Sequence, residues 1–308
     1  MSAAGPAPTG PGTDGIAPRL EELLALRHQA ARAKLAGTGR IGMRGLAPSS
    51  LRGRGMEYAE SREYVAGDDV RRMDWRLTAR TGQAHTKLFQ VERERLSLLV
   101  ADTAPSLYFG TRVRFKSVQA ARAGAVAVWA ALQAGDRIAA LRGGEPAIPP
   151  AAGMRGAMRV LESLVRWYSA APADDAGLDQ ALEHAQRLLR PGARLVVLAD
   201  PQSAAQIALP RWAALGRHHQ ASLVLLQDAL ETAPPRRALA LMDGITRLHV
   251  NLQRRHARRQ WDQALARPAR SLAEVLPAHG WQVHTLATDA AAGDWLQPAG
   301  AVLPGRAR

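Results

Sequence analysis

Leu96-Ser97-Leu98-Leu99-Val100-Ala101 is a six-residue apolar run that stops at Asp102. A short run of this kind suits a strand buried on both faces of a sheet. Arg194-Leu-Val-Val-Leu-Ala199 repeats the pattern and stops at a second aspartate, Asp200. Helical spacing is read over 113–134, 151–168, 178–189 and 206–218. Further strands are read over 137–141, 221–227 and 281–286, with one or two short strands inside 239–250. A helix over 253–276 and a short one near 289–296 complete the pattern. Strands that alternate with helices of this length form βαβ units. The expected fold class is therefore α/β: a doubly wound, mostly parallel sheet with helices on both faces. No internal repeat is visible.

Outward from the sheet the chain is less regular. Leu20, Leu23, Leu24 and Ala31 recur at helical spacing within 19–36, with Gly37 placed as a C-cap. Residues 39–55 are rich in Gly, Arg and Ser and read as loop. The expected division is a disordered tail (1–18), the N-terminal helix with a loop-rich segment (19–90), the sheet domain (91–297) and a C-terminal tail (298–308). The tail at 1–18 has no early Lys or Arg, so a secretory signal is not expected. No stretch reaches the roughly 18 apolar residues of a membrane span, and a cytoplasmic protein is expected. The chain has no cysteine, which excludes disulfides, thiolate nucleophiles and Cys-ligated metals. Its net charge is +14, from 41 basic and 27 acidic residues. That excess leaves nucleic acid, anionic lipid and an acidic protein face as partner classes.

One segment is dense in fixed polar identities. Gly53-Arg-Gly-Met-Glu-Tyr-Ala-Glu60 runs into Arg62-Glu-Tyr64-Val-Ala-Gly67-Asp68-Asp69-Val-Arg71. Asp74-Trp75, Thr78-Ala-Arg80, Lys87-Leu-Phe89 and Glu92 follow. Gly67-Asp68-Asp69 has the composition of a turn. The acids and arginines suggest one ion-pair network of Asp68, Asp69, Arg71, Asp74 and Arg80, with Trp75 packed beside it. On that reading Asp74→Ala lowers the melting temperature clearly. The alternatives for the cluster are a structural pin and a recognition surface. The segment, with Phe109-Gly-Thr111 and Phe115-Lys116-Ser117, closely resembles the signature of the domain of unknown function 58 family. The resemblance runs over roughly 51–296. It implies a von Willebrand A-like fold and a working partnership with a MoxR-type AAA+ ATPase.

The resemblance also implies a cation site. In von Willebrand A-like folds a divalent ion sits at the C-terminal edge of the central strands. Its ligands are an Asp-x-Ser-x-Ser motif, a Thr and a second Asp. Asp102 and Ser106 match here, but Ala104 stands at the middle position. Asp174-Asp175-Ala-Gly-Leu178 holds no Thr, and Asp200 matches the last ligand. Two hydroxyl ligands are missing, with Thr103 or Asp175 as possible substitutes. The expectation is a degenerate site built on Asp102, Ser106 and Asp200, binding Mg²⁺ or Mn²⁺ at millimolar strength or not at all.

No Walker A, Gly-x-Ser-x-Gly or His-Glu-x-x-His motif occurs. His218-His219 and the scattered His249, His256, His279 and His284 lack ligand spacing, so no enzyme activity is expected. The helix beyond 253 carries Arg254, Arg255, Arg258 and Arg259. A solvated face, a docking face for an acidic partner and nucleic-acid contact are its readings, in that order. The leading expectation for function is a non-catalytic adaptor that couples the ATPase to an unidentified client protein. The alternative is a basic module for nucleic acid or anionic lipid.

Overall fold

The structure, a computed structural model, describes residues 15–32, 56–91, 95–243 and 246–296. It has two compact units: residues 56–91 belong to one, and the N-terminal helices and everything from Arg95 onward to the other. The tail over 298–308, the loop over 39–55 and most of the tail over 1–18 lie outside the described residues.

Two short helices, α1 (Leu20–Ala25) and α2 (Arg27–Arg32), stand where one helix over 19–36 was expected. The reason is a side chain. The Trp129 indole N–H donates to Leu23 O at 2.9 Å, taking the carbonyl that a continuous helix offers to the amide of Arg27. Leu23, Leu26 and Ala30 are then all buried. These helices join the sheet unit and not the signature segment.

The signature segment is more regular than expected. β1 (Met56–Glu63), α3 (Trp75–Thr81) and β2 (His85–Val91) follow one another, and β1 pairs antiparallel with β2, with a bulge between Tyr58 and Glu60. Its strands are rich in charged and polar residues, so they do not show as apolar runs.

The sheet unit follows as β3 (Leu96–Ala101), α4 (Lys116–Gln133), β4 (Arg137–Arg142), β5 (Ile148–Ala151) and α5 (Gly153–Ser169). Next come α6 (Gly177–Leu188), β6 (Arg194–Ala199), α7 (Pro201–Gln206), α8 (Leu209–His218), β7 (Gln220–Gln227) and α9 (Ala229–Thr232). β8 (Ala238–Asp243) and β9 (Thr246–Asn251) form a separate antiparallel pair, and α10 (Arg255–Trp261), α11 (Arg267–Val275) and β10 (Trp281–Ala287) close the chain. The order across the six-stranded sheet is β10-β7-β6-β3-β4-β5. Five strands are parallel, and β5 runs antiparallel at the edge. β5 contains Pro149 and Pro150, which lack ladder N–H groups and are tolerated only at such an edge.

Alternate residues of β3 feed two cores. Leu99 and Ala101 join α1, α2, α4 and α5 on one face, while Leu98 and Val100 join α6, α7, α8 and α11 on the other. The mixed α/β fold with helices on both faces is thus as the sequence indicates. Among the described residues no helix is long and apolar enough to cross a membrane.

The single helix expected over 253–276 is broken into α10, a π-turn (Asp262–Ala266) and α11. Pro268 has no N–H to give the carbonyl of Ala264. The Gln202 side chain supplies it instead, at 3.2 Å.

Candidate functional site

Open α/β sheets bind ligands beyond the C-terminal ends of their strands, where the connections diverge. Here that point lies between β3 and β6, whose crossovers leave in opposite directions across the sheet. β3 ends at Asp102 and β6 at Asp200, both buried. Asp102 Oδ1 accepts from the Ala104 N–H at 3.0 Å, and Oδ2 from the Asp200 N–H at 2.9 Å. The Ser203 hydroxyl also bonds it. Burial outweighs these bonds and raises the Asp102 carboxyl to about 6.

The centre of the site is a residue that was not counted as part of it. Lys116, the first residue of α4, is 1% exposed. Its Nζ lies 2.5 Å from Asp200 Oδ2 and 2.6 Å from Glu231 Oε1. The two carboxylates favour the ammonium more than burial disfavours it, so the Lys116 pKa is raised; burial raises that of Glu231. The other oxygens are also engaged. Asp200 Oδ1 caps α7 by accepting from the Gln202 N–H at 2.8 Å. Glu231 Oε2 accepts from the Asp228 N–H at 2.8 Å, the returning half of a capping box on α9. Asp228 in turn accepts from the Thr111 hydroxyl and amide and from the Thr288 hydroxyl, at 2.5, 3.0 and 3.0 Å. One connected network therefore ties the loops after β3, β6, β7 and β10.

This arrangement does not fit a divalent cation. Mg²⁺ and Mn²⁺ need several hard oxygens free to turn toward one point. Each oxygen of Asp102, Asp200 and Glu231 already accepts a hydrogen bond, and an ammonium stands between Asp200 and Glu231. Among the described residues no three His, Asp or Glu side chains are placed to hold a metal ion. The structure brings Asp102 and Asp200 together, but Ser106 lies on a separate 3₁₀ turn (Pro105–Leu107) and joins neither. Thr103 and Asp175 bond each other at 3.0 Å. Two hydroxyls in this unit, those of Ser117 and Tyr168, are buried without a partner among the described residues. Burial first, then the nearby Asp102, keeps Tyr168 protonated well above its ordinary range.

The signature acids do not form the single network expected. Asp68 pairs with Arg62 at 2.6 Å and accepts from the Val65 N–H at 3.0 Å. Asp69 accepts from the Arg71 N–H at 3.0 Å. Asp74 caps α3 through the Leu77 N–H at 3.1 Å and also accepts from the Ser61 hydroxyl at 2.8 Å. These bonds hold Asp68 and Asp74 below the usual carboxylate range. Each acid thus serves its own turn. The Arg71 and Arg80 side chains join no ion pair among the described residues, and Trp75 is 65% exposed, not packed. Gly67 has φ 111°, which the turn requires. Tyr64 is half-buried, and its N–H donates to Ala84 O at 2.8 Å.

The basic helix is α10 with its N-cap Arg254. Arg255, Arg258 and Arg259 line one cleft of about 420 Å³ with Glu231, Thr232, Pro234, Trp261, Asp262 and Gln263, and Arg254 lies outside it.

The sequence reading placed Lys116 in the family signature but not in the site, and it passed over Glu231 and Asp228. A signal was present for Lys116: in a chain that otherwise uses arginine, lysine occurs at only three positions.

The chain is similar to proteins described as uncharacterized from Mycobacterium bovis and from two strains of Mycobacterium tuberculosis. Each is 31% identical over 177 residues. The aligned part is 56% of this chain, and the chain spans about half (56%) the length of those relatives. No solved structure matches it. The model of the family described as "Protein of unknown function DUF58" matches residues 60–271. That match covers the second signature strand, the lysine-held sheet edge and the arginine helix together, and the chain belongs to this family.

Proposed function

We propose that this protein is a non-catalytic, von Willebrand A-like adaptor of the cytoplasm that couples a MoxR-type AAA+ ATPase to a client protein. The observation that carries the reading is Lys116. At the position where an open sheet receives its ligand, the chain supplies its own cation and fastens four loops into one surface. Such an edge is suited to recognition by shape and fixed charge. Family resemblance supplies the ATPase as the partner, and analogy of this kind is separate from the geometry. The test is co-purification of the tagged chain with the MoxR-type ATPase of the same cell. The account expects the ATPase to be retained. Recovery of the chain alone, with both proteins expressed, contradicts it.

A second reading is favoured by the arginines of α10, which have no carboxylate partner among the described residues: a basic module for nucleic acid or anionic lipid. Counterion release makes such binding fall steeply with salt. Tight binding to generic DNA or to anionic vesicles that collapses between low and moderate salt, without an ATPase complex, selects it.

A further inference from the structure

The cleft between α9 and α10 presents three arginines to which no carboxylate among the described residues is paired. Arg255, Arg258 and Arg259 converge there at i, i+3 and i+4 spacing. Two carboxylates share its lining, and both are already taken. Glu231 is held by the Lys116 ammonium at 2.6 Å and by the Asp228 N–H. Asp262 is held by Arg270 at 2.6 Å. Among the described residues none of the three guanidiniums has a carboxylate partner. Three like charges facing one cleft repel, and an anion bound among them relieves that repulsion beyond what solvent and salt already screen. Guanidinium forks match carboxylates in a planar, two-point manner.

The walls argue for a peptide. Pro234 and Trp261 give an apolar side, and the Trp261 indole N–H is tied to Leu230 O at 3.2 Å, which fixes the ring. The cleft's roughly 420 Å³ lies within the range of pockets that seat small ligands or a few side chains. Asp262, at the start of the π-turn that follows α10, lines the cleft but is paired with Arg270. A single aromatic ring edge-fixed in this way is a poor stacking platform for successive bases.

We infer that this cleft is the docking site for an acidic segment of a protein partner, with glutamate or aspartate side chains received by Arg255, Arg258 and Arg259. The inference rests on the adaptor reading for the partner's identity but not for the chemistry of the cleft.

The test uses the full chain, a fluorescein-labelled glutamate decapeptide and a labelled mixed-sequence DNA duplex, at one moderate salt concentration. The variant pair is Arg258→Glu with Arg259→Glu. A control pair, Arg190→Glu with Arg217→Glu, changes the net charge equally at exposed positions elsewhere. Circular dichroism verifies that both pairs are folded. The expected result is saturable peptide binding by the wild type and the control, weakened roughly tenfold or more in the cleft variant, which is the scale of losing one strong charged contact. No peptide binding, or equal weakening in control and cleft variants, overturns the inference. Tighter binding of the duplex through the same two arginines also overturns it, in favour of nucleic acid. ATPase capture separates the two claims. Capture by the wild type supports the adaptor whatever the peptide result. Absence of capture by the wild type removes the adaptor, and in either case the peptide result alone decides the cleft.

Discussion

Lys116 is the residue on which the sheet edge depends. Its ammonium compensates two buried carboxylates, and neither Asp200 nor Glu231 has another cation among the described residues. Removing one partner of a buried ion pair leaves the other charge desolvated, at a cost of about 3–5 kcal/mol. Lys116→Met, which keeps the aliphatic bulk, should therefore lower the unfolding free energy by about that amount in urea titration. A loss under about 1 kcal/mol would mean that the carboxylates are solvated or share a proton. Asp102 makes a separate prediction. Its carboxyl is raised from its ordinary range to about 6, chiefly by burial. A raised carboxyl binds its proton more tightly in the folded state than in the unfolded one. Its contribution is therefore fully present below pH 4 and is lost as pH rises through 6. Carbon NMR of the Asp102 carboxyl should give a midpoint near 6, and a midpoint below 4 contradicts the burial account. Asp102 and Asp200 were legible from the sequence because each ends an apolar run. Lys116 stood out as a rare lysine within the signature, but its partnership with Glu231 was not legible, since it joins positions 115 residues apart and only the fold brings them together.

At the scale of elements, the sequence located strands and helices wherever apolar periodicity governs them. Arg194–Ala199 is a strand with the bounds the run suggests, and all of it is buried. The departures come from single side chains that claim backbone groups: Trp129 divides the N-terminal helix, and Pro268 with Gln202 interrupts the last one. In the signature segment the charged residues were readable, but their assignment was not. Each acid bonds the nearest free backbone N–H, which local geometry supplies at less entropic cost than a long-range network. Asp74→Ala should accordingly lower the melting temperature of its own unit modestly, as a lost helix cap does, and far less than Lys116→Met lowers that of the sheet unit. Comparable losses in calorimetry would restore the network. Gly216 on α8 offers a test of packing against propensity. Alanine improves a helix interior by about 1 kcal/mol. A Cβ at Gly216, however, would lie 2.1 Å from His279 O and 2.7 Å from the Trp281 ring. Gly216→Ala should therefore destabilise, and a raised melting temperature would show that α8 and the start of β10 approach less closely.

For the whole molecule, the α/β class and the two-faced core follow from alternating runs, and the family from the signature. The motif alone led to the expectation of a degenerate ion site; what occupies the carboxylates did not follow from it, because a motif lists ligands and not the groups that already bond them. Ala104 and the missing threonine stand where the motif has ligands, whereas the Lys116 ammonium sits against Asp200, the carboxylate the motif would give to an ion. The account's central claim is that this edge is a closed, lysine-held surface that recognises its partner without a bridging metal. Calorimetric titration of Mn²⁺ and Mg²⁺ into the purified protein, after EDTA treatment and dialysis, tests it most directly. The account predicts no saturable heat below the millimolar range and a melting temperature unchanged by EDTA. Micromolar binding that is abolished by Asp102→Asn would contradict it.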